Sequence, residues 1–71
     1  MTEFQVEPLL AVGLSPELAD AVIQGALAAE SGGISPFTSI VTSLLLAFDV
    51  LHRGCPPDPR LVVRLASRCI G

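Results

Sequence analysis

The chain contains two cysteines, Cys55 and Cys69, and the first question is whether they can form a disulfide. If the segment from Pro59 to Ile70 is helical, a rise of about 1.5 Å per residue separates its ends by roughly 16 Å. A disulfide requires Cα atoms within about 7 Å of each other. A helix over this segment therefore nearly excludes a disulfide between Cys55 and Cys69 of the same chain. We expect Cys69 to be a buried apolar residue and Cys55 a loop thiol in a reducing, cytoplasmic compartment, with an intermolecular bridge through Cys55 left open.

The remaining candidates for chemistry are a histidine and a glycine pair. His52 follows Asp49 by three residues, so the two side chains lie within reach on one helix face. Catalysis would also need an activated nucleophile, and the serines of this segment occupy cap or surface positions. A metal site needs about three or more convergent ligands, which His52 and two separated cysteines do not supply. Gly32-Gly33 lacks the strand and lysine of a phosphate loop. The sequence predicts no enzyme, no metal and no cofactor.

Three arginines, Arg60, Arg64 and Arg68, recur at four-residue spacing and so share one side of a predicted helix. Such a stripe can bind phosphates, but the net charge is −3 and the chain contains no lysine, tyrosine or tryptophan. Nucleic-acid recognition is usually accompanied by a basic domain and a richer set of polar side chains. We therefore predict no nucleic-acid binding and interpret the stripe as a solvated face or a contact for an acidic partner.

Helix-start signals place these residues on helices. Each signal combines a capping side chain with a proline at the first helical position. The three signals are Ser15-Pro16, Ser35-Pro36 and Asp58-Pro59. Glycines mark the predicted helix ends, and no stretch of alternating apolar and polar residues is long enough to predict a strand. The sequence thus predicts an all-α fold, a small single-domain bundle with helices near 16–31, 36–53 and 59–70.

The N-terminal segment allows two interpretations. A helix begun at Thr2 would be interrupted by Pro8. A short helix near 7–12, opening at Glu7 or Pro8, is one alternative, and a loose N-terminal arm is the other. Gly13 ends the segment in either case.

The middle helix is apolar on more than one side. Seven residues follow the 3.6-residue period on one broad face: Phe37, Ile40, Val41, Leu44, Leu45, Phe48 and Leu51. Leu46 and Val50 fall outside this face, so the helix needs more than one neighbour. The helix before it carries small residues, Gly25 and Ala26 among them, that allow close approach of another helix. The helix after it places Leu61, Val62 and Leu65 on its apolar side.

Composition and charge favour a protein partner. Hydrophobic residues make up 51% of the 71 residues, more than a small monomer can bury. Residues 1–33 carry only acidic charges, whereas residues 34–71 carry all four arginines, so the two halves should attract each other. Acids at Glu3 and Glu7 argue against a secretory signal. Polar residues, glycines and Pro36 within the uncharged stretch from residue 31 to 48 argue against a membrane span.

One resemblance offers an alternative. The stretch from Val22 to Gly33, VIQGALAAESGG, resembles a double-glycine leader of the kind removed from bacteriocin and other peptide precursors. The resemblance implies cleavage after Gly33, an acidic leader over 1–33 and a cationic mature peptide over 34–71. The sequence departs from the family at Glu30, where a bulky apolar residue is usual four positions before the cut.

We therefore predict a non-enzymatic helical interaction module: a small adaptor, co-chaperone, antidote or assembly subunit in the cytoplasm. It would act as a homo-oligomer, most simply a dimer, or with a partner protein, and would bind no small-molecule substrate. The candidate partner-binding residues are Leu46, Val50, Arg60, Arg64 and Arg68, together with the small-residue face of the second helix.

Overall fold

The computed structural model describes residues 3–51 and 58–70 of the chain. These residues form a bundle of α-helices without a strand, which confirms the predicted all-α class. In chain order the helices are α1 (Glu7–Ala11), α2 (Pro16–Ser31), α3 (Pro36–Leu51) and α4 (Pro59–Cys69). Within the described ranges, no helix is long and apolar enough to cross a membrane.

The ends of the helices differ little from those that the sequence predicts. Of the two alternatives that the sequence allows for the N-terminal segment, a short helix or a loose arm, the structure has the short helix, α1. Helix α4 ends one residue early, because Ile70 is extended and forms an antiparallel bridge with Phe4. The Gln5 N–H also donates to the Cys69 carbonyl over 2.6 Å, which joins the two ends of the described chain. The predictions for His52 and Cys55, and for the last turn of the middle helix to residue 53, lie outside the described residues.

The predicted caps form hydrogen bonds at all three helix starts. Ser15 Oγ accepts from the Leu18 N–H at 3.2 Å, and Ser35 Oγ accepts from the Thr38 N–H at 3.4 Å. Asp58 Oδ1 accepts from the Arg60 N–H at 3.0 Å. Each bond satisfies an amide that has no partner within the helix, so the helix starts are fixed locally by the sequence.

Two glycines end α1 and α2 in the same way. Gly13 and Gly33 each have φ of 99°, the left-handed conformation that closes a helix. Beyond each glycine an apolar residue donates back to the carbonyl five positions earlier: Leu14 N–H to Leu9 O and Ile34 N–H to Ala29 O, both 3.2 Å. The chain then reaches Ser-Pro and starts the next helix, so α2 and α3 are joined by only the residues 32–35.

Replacing Gly33 with alanine should reduce the free energy of unfolding by about 1–2 kcal/mol, because a Cβ is disfavoured in the left-handed region. The added Cβ meets no atom within 4 Å, so the effect isolates backbone strain. Gly32→Ala is the matched control, since Gly32 has φ of −81° and the loss should be absent. Urea unfolding of both variants tests the turn, and equal stability would contradict its conformation.

Helix α3 lies between α2 and α4, and α1 packs against α4 and α2. Within the described residues α2 and α4 do not contact each other. The buried core draws on all four helices and the turn after α1. Its apolar members are Leu9, Leu14, Ala19, Val22, Ala26, Ile40, Leu44, Ala47, Phe48, Val62, Leu65, Ala66 and Cys69. The prediction that the middle helix needs more than one neighbour is confirmed.

The apolar face assigned to α3 from its periodicity is too broad. Phe37, Leu45 and Leu51 remain exposed, whereas Ser39 and Ala47 are buried. Among the described elements, α2 and α4 alone pack on α3, and two neighbours cannot cover every apolar side of one helix. On α4, the prediction that Leu61 belongs to the buried apolar side is wrong, because Leu61 is 45% exposed.

Candidate functional site

An apolar groove runs between α2 and α3 on the surface of the bundle. Its volume is about 250 Å³. Helix α2 contributes Leu18, Ala21, Val22 and Gly25, and α3 contributes Ser43, Leu46, Ala47 and Val50. Leu46 and Val50 are each 65% exposed, the highest exposure of any large apolar side chain among the described residues. Two side chains singled out from the sequence thus lie together at one surface.

Close contact between the two helices sets the floor of the groove. Ser43 Oγ donates to the Val22 carbonyl over 2.7 Å. A Cβ at Gly25 would lie 2.8 Å from the same Ser43 Oγ, so only glycine fits this crossing as it stands. The small residues of α2 do admit another helix, as predicted, but that helix is α3 of the same chain. Ala26 is fully buried and leaves Gly25 and Ala21 to face the groove.

The charges that the described residues of α2 and α3 place near the groove are all negative. Residues 16–51 contain no arginine, lysine or histidine. Glu17 precedes Leu18 in the first turn of α2, and Asp49 precedes Val50 in the last turn of α3. The short connection makes α2 and α3 antiparallel neighbours, so both exposed acids lie at the same end of the groove. A cation would be attracted to this end.

The three predicted arginines all lie on α4 and do not line this groove. Arg60 and Arg64 line a separate pocket of about 460 Å³ with Pro59 and Val63. Arg68 lines another pocket, of about 420 Å³, formed mainly by α1 and the residues before it. None of the three arginines lines the groove that contains Leu46 and Val50.

The described part of the chain holds one cysteine thiol and no cluster of metal ligands. Within residues 3–51 and 58–70, no three histidine, cysteine or acidic side chains come together to hold a metal ion. Cys69 is fully buried, as the sequence predicts, and its thiol is free. Burial raises the pKa of the Cys69 thiol, and the nearby Arg68 charge opposes the rise in part. A buried neutral thiol of this kind is a core side chain.

The raised pKa of Cys69 predicts a loss of stability in alkali. The folded state favours the neutral thiol, so this contribution to stability is complete below the ordinary thiol pKa of 9.0 and is lost as the pH rises above that value. In a Cys55→Ser background, the free energy of unfolding should fall from pH 9 upward. Cys69→Ala in the same background is the control and should lack the decline. Identical pH profiles for the two proteins would contradict this assignment.

The glycine pair at the end of α2 is part of a hydrogen-bonded turn. Gly32 N–H donates to Ala28 O at 3.2 Å and Gly33 N–H donates to Glu30 O at 3.0 Å. The helices on either side, α2 and α3, share the most extensive helix–helix contact of the bundle. A cut after Gly33 would therefore separate two halves of one core.

Comparisons of the chain with protein-family models, curated proteins and solved structures gave no match. The described residues define an all-α bundle with an apolar groove at the α2–α3 surface.

Proposed function

We propose that this protein is a non-enzymatic interaction module that binds another protein through the groove between α2 and α3. The observation that carries the proposal is the exposure of Leu46 and Val50 beside an apolar groove. Full burial of such a side chain stabilises by about 1.5–3 kcal/mol, so two side chains that are 65% exposed leave a substantial gain for a complex. Concave apolar surfaces of this kind are typical binding sites.

The module would act as an adaptor, co-chaperone, antidote or assembly subunit, because each of these works by covering apolar surface on another protein. The rigid parts of the site support this role. Ser43 and Gly25 fix the spacing of α2 and α3, so Leu46 and Val50 are presented by packed helices before any partner arrives. A preformed surface lowers the entropic cost of binding.

Isolation of the tagged full chain from its native host tests the proposal. The expected result is an intact chain in a stoichiometric complex by native mass spectrometry, with the complex lost in the Leu46→Asp variant. A chain that is intact but free of any stoichiometric partner would contradict the proposal. A chain cut after Gly33, with release of the segment 34–71, would contradict it in favour of the double-glycine precursor.

A further inference from the structure

We infer that the groove binds a basic amphipathic helix of a different protein. This inference rests on the proposed function and specifies the partner. It is carried by three observations: the length and apolar lining of the groove, the sign of the described charges beside it, and the burial of the apolar side of α4, the helix that carries the described arginines.

The length of the groove matches a short helical stripe. Its walls extend from Leu18 to Gly25 on α2 and from Ser43 to Val50 on α3. Seven residues of helix span about 10 Å, which is close to two turns. An apolar stripe at positions i, i+3 or i+4, and i+7 of a partner helix covers the same distance. Leu46 and Val50 would then pack along one side of that stripe.

The charges select a cationic helix. Glu17 and Asp49 lie beside the Leu18–Val50 end of the groove, and no base occurs anywhere in residues 16–51. Lysine or arginine beside the apolar stripe would approach these two acids, whereas glutamate there would be repelled. Charges at the rim of an interface mainly accelerate association and exclude wrong partners, while apolar burial supplies most of the affinity.

A second copy of this chain is a poorer occupant. The apolar side of α4 is already in the core through Val62, Leu65 and Ala66. Outside the core, α4 exposes two large apolar residues, Leu61 and Val63, which lie about 200° apart around the helix and form no continuous stripe for a groove. Groove-to-groove pairing would bring together two copies of Glu17 and Asp49, and the described residues of α2 and α3 offer no base to pair with them. These features favour a different protein over the dimer that the sequence predicts.

Selection from a displayed peptide library tests the inference directly. The peptides are helical, carry a fixed apolar stripe of two turns, and have flanking positions drawn equally from lysine, glutamate and glutamine. The bait is the full chain, with counter-selection against Leu46→Asp. We expect lysine to dominate the flanking positions of the enriched peptides. Enrichment of glutamate or glutamine in Leu46-dependent peptides would overturn the inference and leave the proposed function standing. Absence of any Leu46-dependent peptide would overturn both.

Charge-neutral variants give the quantitative test with the most enriched peptide as probe. In the double variant Glu17→Gln/Asp49→Asn, the association rate constant at low salt should fall by about fivefold. Asp20→Asn is the matched control, because Asp20 is two residues from Leu18 and points to the opposite side of α2. An equal fall of the association rate constant in Asp20→Asn would overturn the role given to Glu17 and Asp49. If the purified chain sediments as a dimer and Leu46→Asp dissociates that dimer, the inference that the partner is a different protein is overturned.

Discussion

Replacing Leu46 with aspartate should abolish partner binding while changing the free energy of unfolding by no more than about 0.5 kcal/mol. Leu46 is 65% exposed, so its loss removes little from the folded monomer. In a complex the new carboxylate would be buried at an apolar contact without a partner. That cost is at least about 2 kcal/mol, or roughly thirtyfold in affinity. Titration with the partner protein and urea unfolding measure the two quantities on the same sample.

Leu45→Asp is the matched control for this result. Leu45 neighbours Leu46 on α3 but is rotated by about 100° around the helix, and it does not line the groove. Its side chain is 42% exposed, so the variant should lose more stability than Leu46→Asp and keep its affinity for the partner. Equal loss of binding in both variants would contradict the groove as the binding surface.

Truncating Leu44 to alanine should reduce the free energy of unfolding by about 3 kcal/mol. Leu44 is 0% exposed and lies on α3, which packs against both α2 and α4. A domain of this length is expected to be stable by roughly 4–10 kcal/mol in total, so the variant should keep only about 1–7 kcal/mol and unfold at a clearly lower urea concentration. Urea unfolding followed by circular dichroism measures the loss.

The control for Leu44→Ala is Val63→Ala on α4. Val63 is 47% exposed, and its truncation should change stability by less than about 0.5 kcal/mol. Similar losses at both positions would mean that α3 does not occupy the centre of the bundle. Cooperative unfolding of the parent protein is the condition for comparing the two values.

Helix starts and stops are the part of this fold that the sequence predicts best. Ser15, Ser35 and Asp58 cap helices through side-chain bonds to amides two or three residues away. Gly33 stops α2 because its own backbone adopts the left-handed conformation. All of these interactions are local, so the residues that make them stand close together in the sequence.

The choice of buried side on α3 is not local and was predicted only in part. Periodicity groups Phe37 with Ile40 and Leu44, but Phe37 is 41% exposed, whereas Ile40 and Leu44 are fully buried. Ser39 is buried although it is polar, and its hydroxyl donates to the Ile34 carbonyl at 3.4 Å. Such a satisfied polar residue gives no signal in a hydrophobic pattern.

The groove shows the same division between local and long-range information. Leu46 and Val50 could be selected because they fall outside the periodic face of α3. The opposite wall, Leu18 and Ala21, depends on how α2 crosses α3 at Gly25, which no local pattern specifies. The arginines share a predicted helix side, but their distance from the groove depends on which helix α4 packs against. The sequence therefore predicts two residues of the groove, Leu46 and Val50, but not the helix crossing that forms its opposite wall.

Site-specific photo-crosslinking in the native host tests the central claim most directly. A photoreactive residue is placed singly at position 46 or 50 in the groove, and at position 45 or 61 as exposed apolar controls outside it. If the groove is the binding surface, positions 46 and 50 should crosslink to the same partner protein while positions 45 and 61 do not. Crosslinking from positions 45 or 61 alone, or equally from all four, would contradict the claim.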